Sequence, residues 1–305
     1  MVNVSEKSRN WALKTIETTV PVNLRSRIPE KCRDFLLRAD KEIVEMPAIC
    51  GYSWRLHILR ARKREAGCPV HINIHGGGFF SGYKENDDMW SAWLADQMKG
   101  IVVSIDYSTT DERAAFPVAF EQCYESVKWV MEHCDNWNAD RNYVSIGGYS
   151  AGANLTAAVC LKTAQTGDFK LQLQLLAYPP LDNCTPALMK PEGYVFDLSP
   201  ERMEAYNLLY FGNDPDLAKN PYISPIYAGN EELAETPRAL IISAGDCNFR
   251  YEDENYAGRL AALGVEVTVY RAPHAKHGFI PHFMEGWEEA ADLIVRNILD
   301  AKGET

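Results

Sequence analysis

The sequence lacks the cysteine patterns of a zinc site or a disulfide framework. None of its eight cysteines forms a C-x-x-C pair, and several of them lie inside apolar runs. In a chain of 305 residues a framework of disulfides is not needed to hold a core together. We therefore expect free, mostly buried thiols of the kind found in a reducing cytoplasm.

Basic residues and long apolar runs are also scarce. The 31 lysines and arginines are outnumbered by 42 acidic residues, which gives a formal net charge of −11. No basic stripe is available to neutralise phosphates, which argues against a nucleic-acid partner. No apolar run is long enough to cross a bilayer, and residues 1–10 lack the apolar core of a signal peptide. These absences predict a cytoplasmic protein that binds neither nucleic acid nor membrane.

What the sequence does have is an alternation of strand-like and helix-like segments. A hairpin is expected over residues 41–62, and Pro117 is expected to open a helix. Strands are expected at 70–74, 101–105, 143–146, 171–177, 239–243 and 265–270, and further helices at 151–163, 252–263 and 285–299. This alternation predicts one α/β domain over residues 1–305, with a mostly parallel central sheet covered by helices on both faces.

Two regions interrupt the alternation. Residues 5–40 contain helical patterns broken by Pro21 and Pro29, as expected of helices packed on a core or of a lid over a pocket. Residues 183–236 read as an insertion with a helical middle. Its aromatic and long apolar side chains either line a pocket or pack down: Tyr194, Phe196, Met203, Tyr206, Leu208, Leu209, Tyr210 and Phe211.

The most informative stretch is Gly148-x-Ser150-x-Gly152, which lies between a predicted strand and a predicted helix. A strand that turns into a helix at G-x-S-x-G is the nucleophile-elbow pattern. The turn is so tight that a side chain at either glycine would collide with the neighbouring strand or helix. The start of the helix also aims N–H groups and a positive dipole end at the space beside Ser150.

Three further motifs fall at predicted strand ends, where open α/β sheets place their sites. The segment from His75 to Phe79 contains three consecutive glycines, which suits an oxyanion hole. A phosphate-binding loop is the competing interpretation, but the Lys-Ser/Thr ending and the G-x-G-x-x-G spacing are both missing. Asp246 and His277 follow later strands, and the order Ser, acid, His is that of α/β-hydrolases.

Together these motifs resemble one family. His75-Gly-Gly-Gly-Phe79, Ser104-Ile-Asp106-Tyr107, Phe116-Pro117, Gly148-x-Ser150-Ala-Gly152-x-Asn154 and His277-Gly-Phe279 match, in order, the motifs of the hormone-sensitive-lipase-like α/β-hydrolases. That family includes many bacterial carboxylesterases and acetyl esterases. The resemblance covers roughly residues 68–298. It implies an α/β-hydrolase fold with a small helical cap formed by residues 1–40 and 183–236, and it implies no metal or organic cofactor.

The resemblance also implies roles for individual residues. Ser150 is the nucleophile, and His277 is its general base and later the acid that protonates the leaving alcohol. The backbone N–H groups of Gly77, Gly78 and Ala151 form the oxyanion hole. His274 and His282 are the competing bases, but neither precedes a Gly-Phe pair. His75 and Asp106 are expected to shape the loop rather than to take part in the chemistry.

The chain departs from the family in three places. Tyr149 replaces the acidic residue common before the nucleophile, and residues 108–113 replace the usual Arg-Leu-Ala-Pro-Glu segment. In the third place, the alignment of Phe249-Arg250 on the usual Leu-Arg pair puts Cys247 in the position of the acid.

The acid itself therefore has to be chosen among nearby carboxylates. Orienting a catalytic histidine requires a carboxylate that accepts its Nδ1–H, and this favours Asp246, one residue before the aligned position. Glu252 and Asp253 are the alternatives, expected on the next helix, where they face solvent or serve its N-terminus.

The function predicted from these residues is that of a serine carboxylesterase acting on short acyl esters, acetyl to butyryl. Acetylated sugars are plausible substrates because aromatic walls stack on sugar faces. His277 is expected to titrate around 6–7. One alternative is a non-catalytic small-molecule binder on a hydrolase scaffold. The other is a serine peptidase of the prolyl-oligopeptidase type, whose propeller domain does not fit in this length. Homodimer formation is left open.

Overall fold

One sheet forms the centre of the molecule. The computed structural model describes residues 2, 4–20, 28–191 and 198–302, so Pro21, Tyr194 and Phe196 of the predictions above lie outside the described residues. Within these ranges the sheet has eight strands in the order β1-β2-β4-β3-β5-β6-β7-β8. They are β1 Ala39–Ile49, β2 Tyr52–Ala61, β3 Cys68–Ile74, β4 Ile101–Asp106, β5 Ala139–Tyr149, β6 Leu173–Ala177, β7 Ala239–Asp246 and β8 Val267–Lys276.

The sheet is mostly parallel, as predicted. Strand β2 runs antiparallel to β1 and β4, which confirms the hairpin expected over residues 41–62. The other neighbouring strands pair in parallel. All six strands predicted after the hairpin are present. The largest difference is in β8, which continues to Lys276 and so ends directly before His277.

Helices cover both faces of this sheet. Strand β7 illustrates this, because successive side chains of a strand point to opposite faces of the sheet and each face is buried against different helices. Leu240 and Ile242 belong to a core shared with helices α3 (Glu85–Met98) and α10 (Trp287–Leu299). Ala239 and Ile241 belong to a core shared with α5 (Ala151–Thr166) and α9 (Arg250–Ala262). The helices are α1 Glu6–Thr18, α2 Glu30–Arg33, α3 Glu85–Met98, α4 Val118–His133, α5 Ala151–Thr166, α6 Pro200–Phe211, α7 Pro215–Ala218, α8 Asn230–Ala234, α9 Arg250–Ala262 and α10 Trp287–Leu299.

Helix α6 lies in the middle of the insertion, as predicted, and its ends are defined by local chemistry. Ser199 accepts a hydrogen bond from the backbone N–H of Arg202, and Pro200 occupies the first turn. These are the residues that favour a helix start, since they satisfy or remove unpaired N–H groups. Gly212, with φ of 76°, ends the helix in the left-handed region that glycine adopts without strain.

Helix α1 packs directly against α6. Ala12 and Ile16 share a buried cluster with Ala205 and Leu209. Charged side chains fix α1 at its other end, where Arg9 donates to the carbonyl oxygens of Thr110 and Asp111 at 2.9 and 2.8 Å. The segment 108–113, which departs from the family pattern, is therefore the segment on which α1 docks.

The eight cysteines are all free thiols, and six of them are buried, as the sequence predicts. No helix in the described ranges is both long and apolar enough to cross a membrane.

Candidate active site

Ser150 lies in the turn between β5 and α5, in a backbone conformation that residues other than glycine rarely adopt. Its φ is 55° and its ψ is −122°. Its N–H donates to the Ala177 carbonyl oxygen at 2.9 Å, which holds the turn against the end of β6. A Cβ at Gly148 would lie 2.3 Å from the Gly152 carbonyl carbon, and one at Gly152 would lie 2.1 Å from the Ile74 oxygen. Backbone packing alone therefore requires both glycines.

His277 lies beside this serine. Its Nε2 is 2.8 Å from Ser150 Oγ, and the ring is buried. Neither of the two competing bases takes this position. His274 is exposed, and the half-buried His282 lines the wall of the cavity around Ser150. The end of β8 decides this arrangement, because the strand stops at Lys276 and the next residue turns towards Ser150.

Cys247 lies on the other side of the imidazole ring, where Asp246 was predicted. Its Sγ is 3.3 Å from His277 Nδ1. Between the two described residues Asp246 and His277 there is no hydrogen bond, and Asp246 is only partly buried, unlike Cys247. We therefore correct the assignment of Asp246. As the last residue of β7 it pairs with Lys276, and the next residue points to the opposite side, towards His277.

The environment of His277 favours its neutral form. Burial lowers the pKa of this imidazole to about 3, because the charged form loses its hydration. The expectation of a value around 6–7 is thus wrong for the folded protein. Tyr178 and Phe249 enclose the ring with edge contacts at centroid distances of 5.1 and 5.3 Å.

The other two candidate acids are buried rather than solvated, which corrects the expectation that they face solvent. Glu252 pairs with the buried Lys190 at 2.5 Å and accepts the N–H of Leu181 at 2.8 Å. Asp253 has no exposed surface, and among the residues that the structure describes neither of its carboxylate oxygens has a hydrogen-bond partner. Burial, the largest effect, and the neighbouring Glu252 raise the pKa of Asp253 well above its usual range.

Gly77 and Gly78 line the same cavity as Ser150, and Ala151 follows Ser150 as the first residue of α5. Gly77 and Gly78 have φ values of 122° and 65°, which glycine tolerates and other residues rarely adopt. Within the described part of the chain, the N–H groups of Gly77, Gly78 and Ala151 are donated to no protein acceptor. A Cβ at Gly78 would lie 2.6 Å from the ring of Tyr206, so α6 packs directly on this loop.

The glycine loop, residues 75–79, is held in place by a stacked pair of rings. His75 lies parallel to Tyr107, with the ring centroids 4.2 Å apart, and its Nδ1 is 2.7 Å from the Gly76 carbonyl oxygen. The Tyr107 hydroxyl donates to the His75 carbonyl oxygen at 3.1 Å. Asp106 binds Arg55 at 2.8 Å. These contacts hold the loop and reach neither Ser150 nor His277.

A cavity of about 420 Å³ surrounds Ser150 and His277. Side chains of α1 and α6 line it together with the glycine loop and the start of α3. The lining from these helices comprises Leu13, Ile16, Glu17, Asn86, Asp87, Arg202, Met203, Tyr206 and Asn207.

Sequence reasoning missed two kinds of site residue. It placed Cys247 at the aligned position of the acid but rejected it because a thiol is not a carboxylate. The alignment of Phe249-Arg250 was in fact the signal that located a side chain 3.3 Å from Nδ1. It missed Asp87 altogether, because nothing in the local pattern distinguishes a cavity carboxyl from an ordinary one at a helix start.

Known proteins are similar to this chain in sequence and in architecture. A family model described as alpha/beta hydrolase fold matches residues 71–281. Esterase LipI of Mycobacterium tuberculosis is 32% identical over 220 residues, which span 71% of this chain and 67% of LipI. An arylesterase of Saccharolobus solfataricus is 29% identical over 72% of this chain and 70% of its own length. A solved esterase of Pyrobaculum calidifontis superposes with a TM-score of 0.77 at 28% identity, covering 98% of this chain and 92% of that one.

The matched region contains the glycine loop, the elbow and His277, and these are the motifs on which the sequence resemblance depends. The chain belongs to the alpha/beta hydrolase fold family, in its hormone-sensitive-lipase-like branch.

Proposed function

We propose that this protein is a carboxylesterase that hydrolyses short-chain acyl esters through a covalent acyl-enzyme. The observation that carries the proposal is the 2.8 Å contact between Ser150 Oγ and His277 Nε2, in a cavity that Gly77 and Gly78 also line. No protein acceptor in the described part of the chain uses the backbone N–H groups of Gly77, Gly78 and Ala151. A nucleophile, a base and an oxyanion site are the parts that acyl transfer requires. The relatives that are named esterases support the same reaction.

In the first half of the reaction, Ser150 attacks the ester carbonyl while His277 Nε2 takes the hydroxyl proton. The carbonyl oxygen becomes an oxyanion that accepts hydrogen bonds from Gly77, Gly78 and Ala151, a term worth roughly 3–4 kcal/mol per donor in serine hydrolases. The tetrahedral intermediate collapses, the bond to the alcohol oxygen breaks, and His277 returns the proton to that oxygen. Water then repeats these steps on the acyl-enzyme and releases the acid.

Cys247 takes the third position in this proposal. Its sulfur accepts the Nδ1–H of His277 across 3.3 Å, which leaves Nε2 unprotonated and aimed at Ser150. A sulfur atom is a weak acceptor, so its contribution is smaller than that of an orienting carboxylate. The role is one of positioning, because Cys247 acts through His277 and does not touch the substrate.

Helices α1 and α6 form the cap of the site in this proposal. Both line the cavity, and they pack against each other through Ala12, Ile16, Ala205 and Leu209. A cavity of about 420 Å³ closed by such a cap suits acetyl to butyryl groups. Acetylated sugars remain within the proposal because the aromatic side chain of Tyr206 lines the cavity.

Replacement of the nucleophile tests the proposal. Ser150→Ala should lower the hydrolysis of p-nitrophenyl acetate and butyrate by roughly 10⁴-fold or more. An organophosphonate probe followed by mass spectrometry should give one adduct, at Ser150. Ser81→Ala is the matched control, because Ser81 lines the same cavity and should leave both rate and labelling unchanged. Hydrolysis that survives in Ser150→Ala, or an adduct on another serine, would contradict the mechanism. A purified protein that binds esters without cleaving any of them would favour the non-catalytic binder.

A further inference from the structure

The start of α3 contributes an unusual polar stretch to the cavity. Lys84, Asn86 and Asp87 line it there, and His282 lines it from the segment that follows the catalytic histidine. The Asn86 amide donates to the Pro281 carbonyl oxygen at 3.0 Å, which ties the two segments together. Leu13, Ile16 and Met203 give the same cavity apolar lining from α1 and α6. A substrate in this cavity therefore meets both hydrophobic side chains and hydrogen-bonding groups.

Asp87 is the group in this stretch that needs an explanation. The residue is only 7% exposed, yet it lines the cavity that contains Ser150. One oxygen, Oδ2, accepts the backbone N–H of Lys84 at 2.8 Å and so caps the first turn of α3. In the described part of the chain Asp87 makes no ion pair, although acidic residues at this depth normally do. The capping bond uses Oδ2, so Oδ1 can accept a hydrogen bond from a group bound in the cavity.

We propose that Asp87 is a specificity-determining residue that accepts a hydrogen bond from a hydroxyl group of the substrate. The inference rests on the proposed esterase function and names the class of ester that the site prefers, one with a free hydroxyl group near the ester bond. A hydroxyl fits better than an ammonium group, because Lys84 lines the same stretch and repels a second cation. It also fits better than a substrate anion, which the Asp87 carboxyl repels.

The charge on Asp87 gives this contact a pH dependence. Burial, the largest effect, raises the pKa of Asp87 to about 7, against the lowering effects of its bond to the Lys84 N–H and of the Lys84 charge. The negative charges of Asp88 and Asp106 also raise the pKa of Asp87. The charge of Asp87 in turn raises the pKa of four nearby tyrosines, Tyr83, Tyr107, Tyr149 and Tyr178. An ionised carboxylate accepts a hydroxyl hydrogen bond more strongly than a carboxylic acid does. The preference for hydroxylated esters should therefore increase as pH rises through 7.

Two matched substrate pairs test the inference, since the hydroxyl is carried either by the acyl group or by the alcohol. The first pair is p-nitrophenyl butyrate and p-nitrophenyl 3-hydroxybutyrate, and the second is propyl acetate and glyceryl monoacetate. In the wild type, kcat/KM should favour the hydroxylated member of one pair by roughly tenfold or more at pH 8. That ratio should decrease towards pH 6.

Asp87→Asn separates recognition from helix capping, because the amide oxygen still accepts the Lys84 N–H. This variant should lose most of the preference and all of its pH dependence while it still cleaves the unsubstituted esters. Glu85→Gln, an exposed neighbour in the same turn, is the control and should leave the ratio unchanged. A ratio that is the same in Asp87→Asn and wild type for both pairs would overturn the inference and leave Asp87 a helix cap. If no member of either pair is cleaved, the proposed function itself fails.

Discussion

Cys247 Sγ lies 3.3 Å from Nδ1 of His277, at the position where the family alignment places a carboxylate. The neighbouring Asp246 ends β7 and is only partly buried. A shift of one residue along an extended chain reverses the side to which a side chain points, and here it decides which group approaches the histidine. Substitutions at residues 246 and 247 can therefore decide which of the two side chains positions His277.

Substitutions at residues 246 and 247 should have unequal effects. Cys247→Ala removes the acceptor of the His277 hydrogen bond, worth about 1 kcal/mol, and should lower kcat roughly five- to tenfold. Cys247→Ser keeps an acceptor and should stay closer to the wild type. Asp246→Asn is the matched control and should stay within a few-fold. Steady-state kinetics with p-nitrophenyl butyrate measures all three. A loss of about 10⁴-fold in Asp246→Asn would restore that residue as the orienting acid.

Activity should persist into the acid range. His277 must be neutral to take the proton of Ser150, and burial lowers its pKa to about 3. We therefore expect kcat/KM to stay nearly constant between about pH 5 and 7, without a step near the ordinary histidine value. A pH–rate profile at constant ionic strength measures this. A decrease with an apparent pKa of about 6–7 would show that His277 titrates normally.

Acid unfolding must be measured alongside that profile. Burial lowers the pKa of His71 to about 3 and that of His75 to about 4. The unfolded chain binds protons at these residues below about pH 6.5, whereas the folded chain does so only near the lower values. The free energy of unfolding should therefore decrease as pH falls through this window. Circular dichroism at each pH separates a loss of folded protein from a loss of chemistry.

The acyl chain length should be limited by the cavity. Its volume of about 420 Å³ is bounded by α1 and α6, and Tyr206 rests on Gly78 beside the nucleophile. We expect kcat/KM for p-nitrophenyl esters to be highest for acetyl to butyryl groups and to decrease well before decanoyl. Met203→Ala, which removes a side chain that lines the cavity from α6, should shift the optimum towards longer chains. A wild-type rate that continues to rise to decanoyl would mean an open, lipase-like site.

The two buried acids of α9 should respond to substitution in opposite directions. Neither carboxylate oxygen of Asp253 has a hydrogen-bond partner within the described ranges, so Asp253→Ala should raise the free energy of unfolding by about 1–3 kcal/mol at pH 8. Its raised pKa means that the folded state holds a proton which the unfolded state releases above about pH 4. The stabilisation should therefore shrink as pH falls towards 4.

Glu252→Gln is the contrasting variant. It leaves the Lys190 ammonium buried without its carboxylate and should destabilise the protein by about 3–5 kcal/mol. Urea unfolding at pH 5 and pH 8 measures both variants. Destabilisation by Asp253→Ala at pH 8 would mean that its carboxyl is stabilised in the folded state.

The strands, the elbow and the order of the catalytic motifs could be predicted from the sequence, because each depends on neighbouring residues. Buried parallel strands appear as short, largely apolar runs, as in β3 and β6, where every residue is buried, including the polar His71, Asn73 and Gln174. The elbow is equally local, since the tight turn at Ser150 leaves no room for a Cβ at residues 148 and 152. His277 could be separated from His274 and His282 by the Gly-Phe pair that follows it.

The third group of the site, the protonation of its histidine and the lining of its cavity were decided only by the tertiary structure. Whether residue 246 or residue 247 reaches His277 depends on where β7 stops pairing with β8. That point is set by how two segments distant in sequence pack against each other. The low pKa of His277 arises from side chains that the whole fold packs around it. Asp253 and Asp87 look in sequence like ordinary acids in the first turn of a helix. What sets them apart is burial, and burial depends on which surfaces the folded chain brings together.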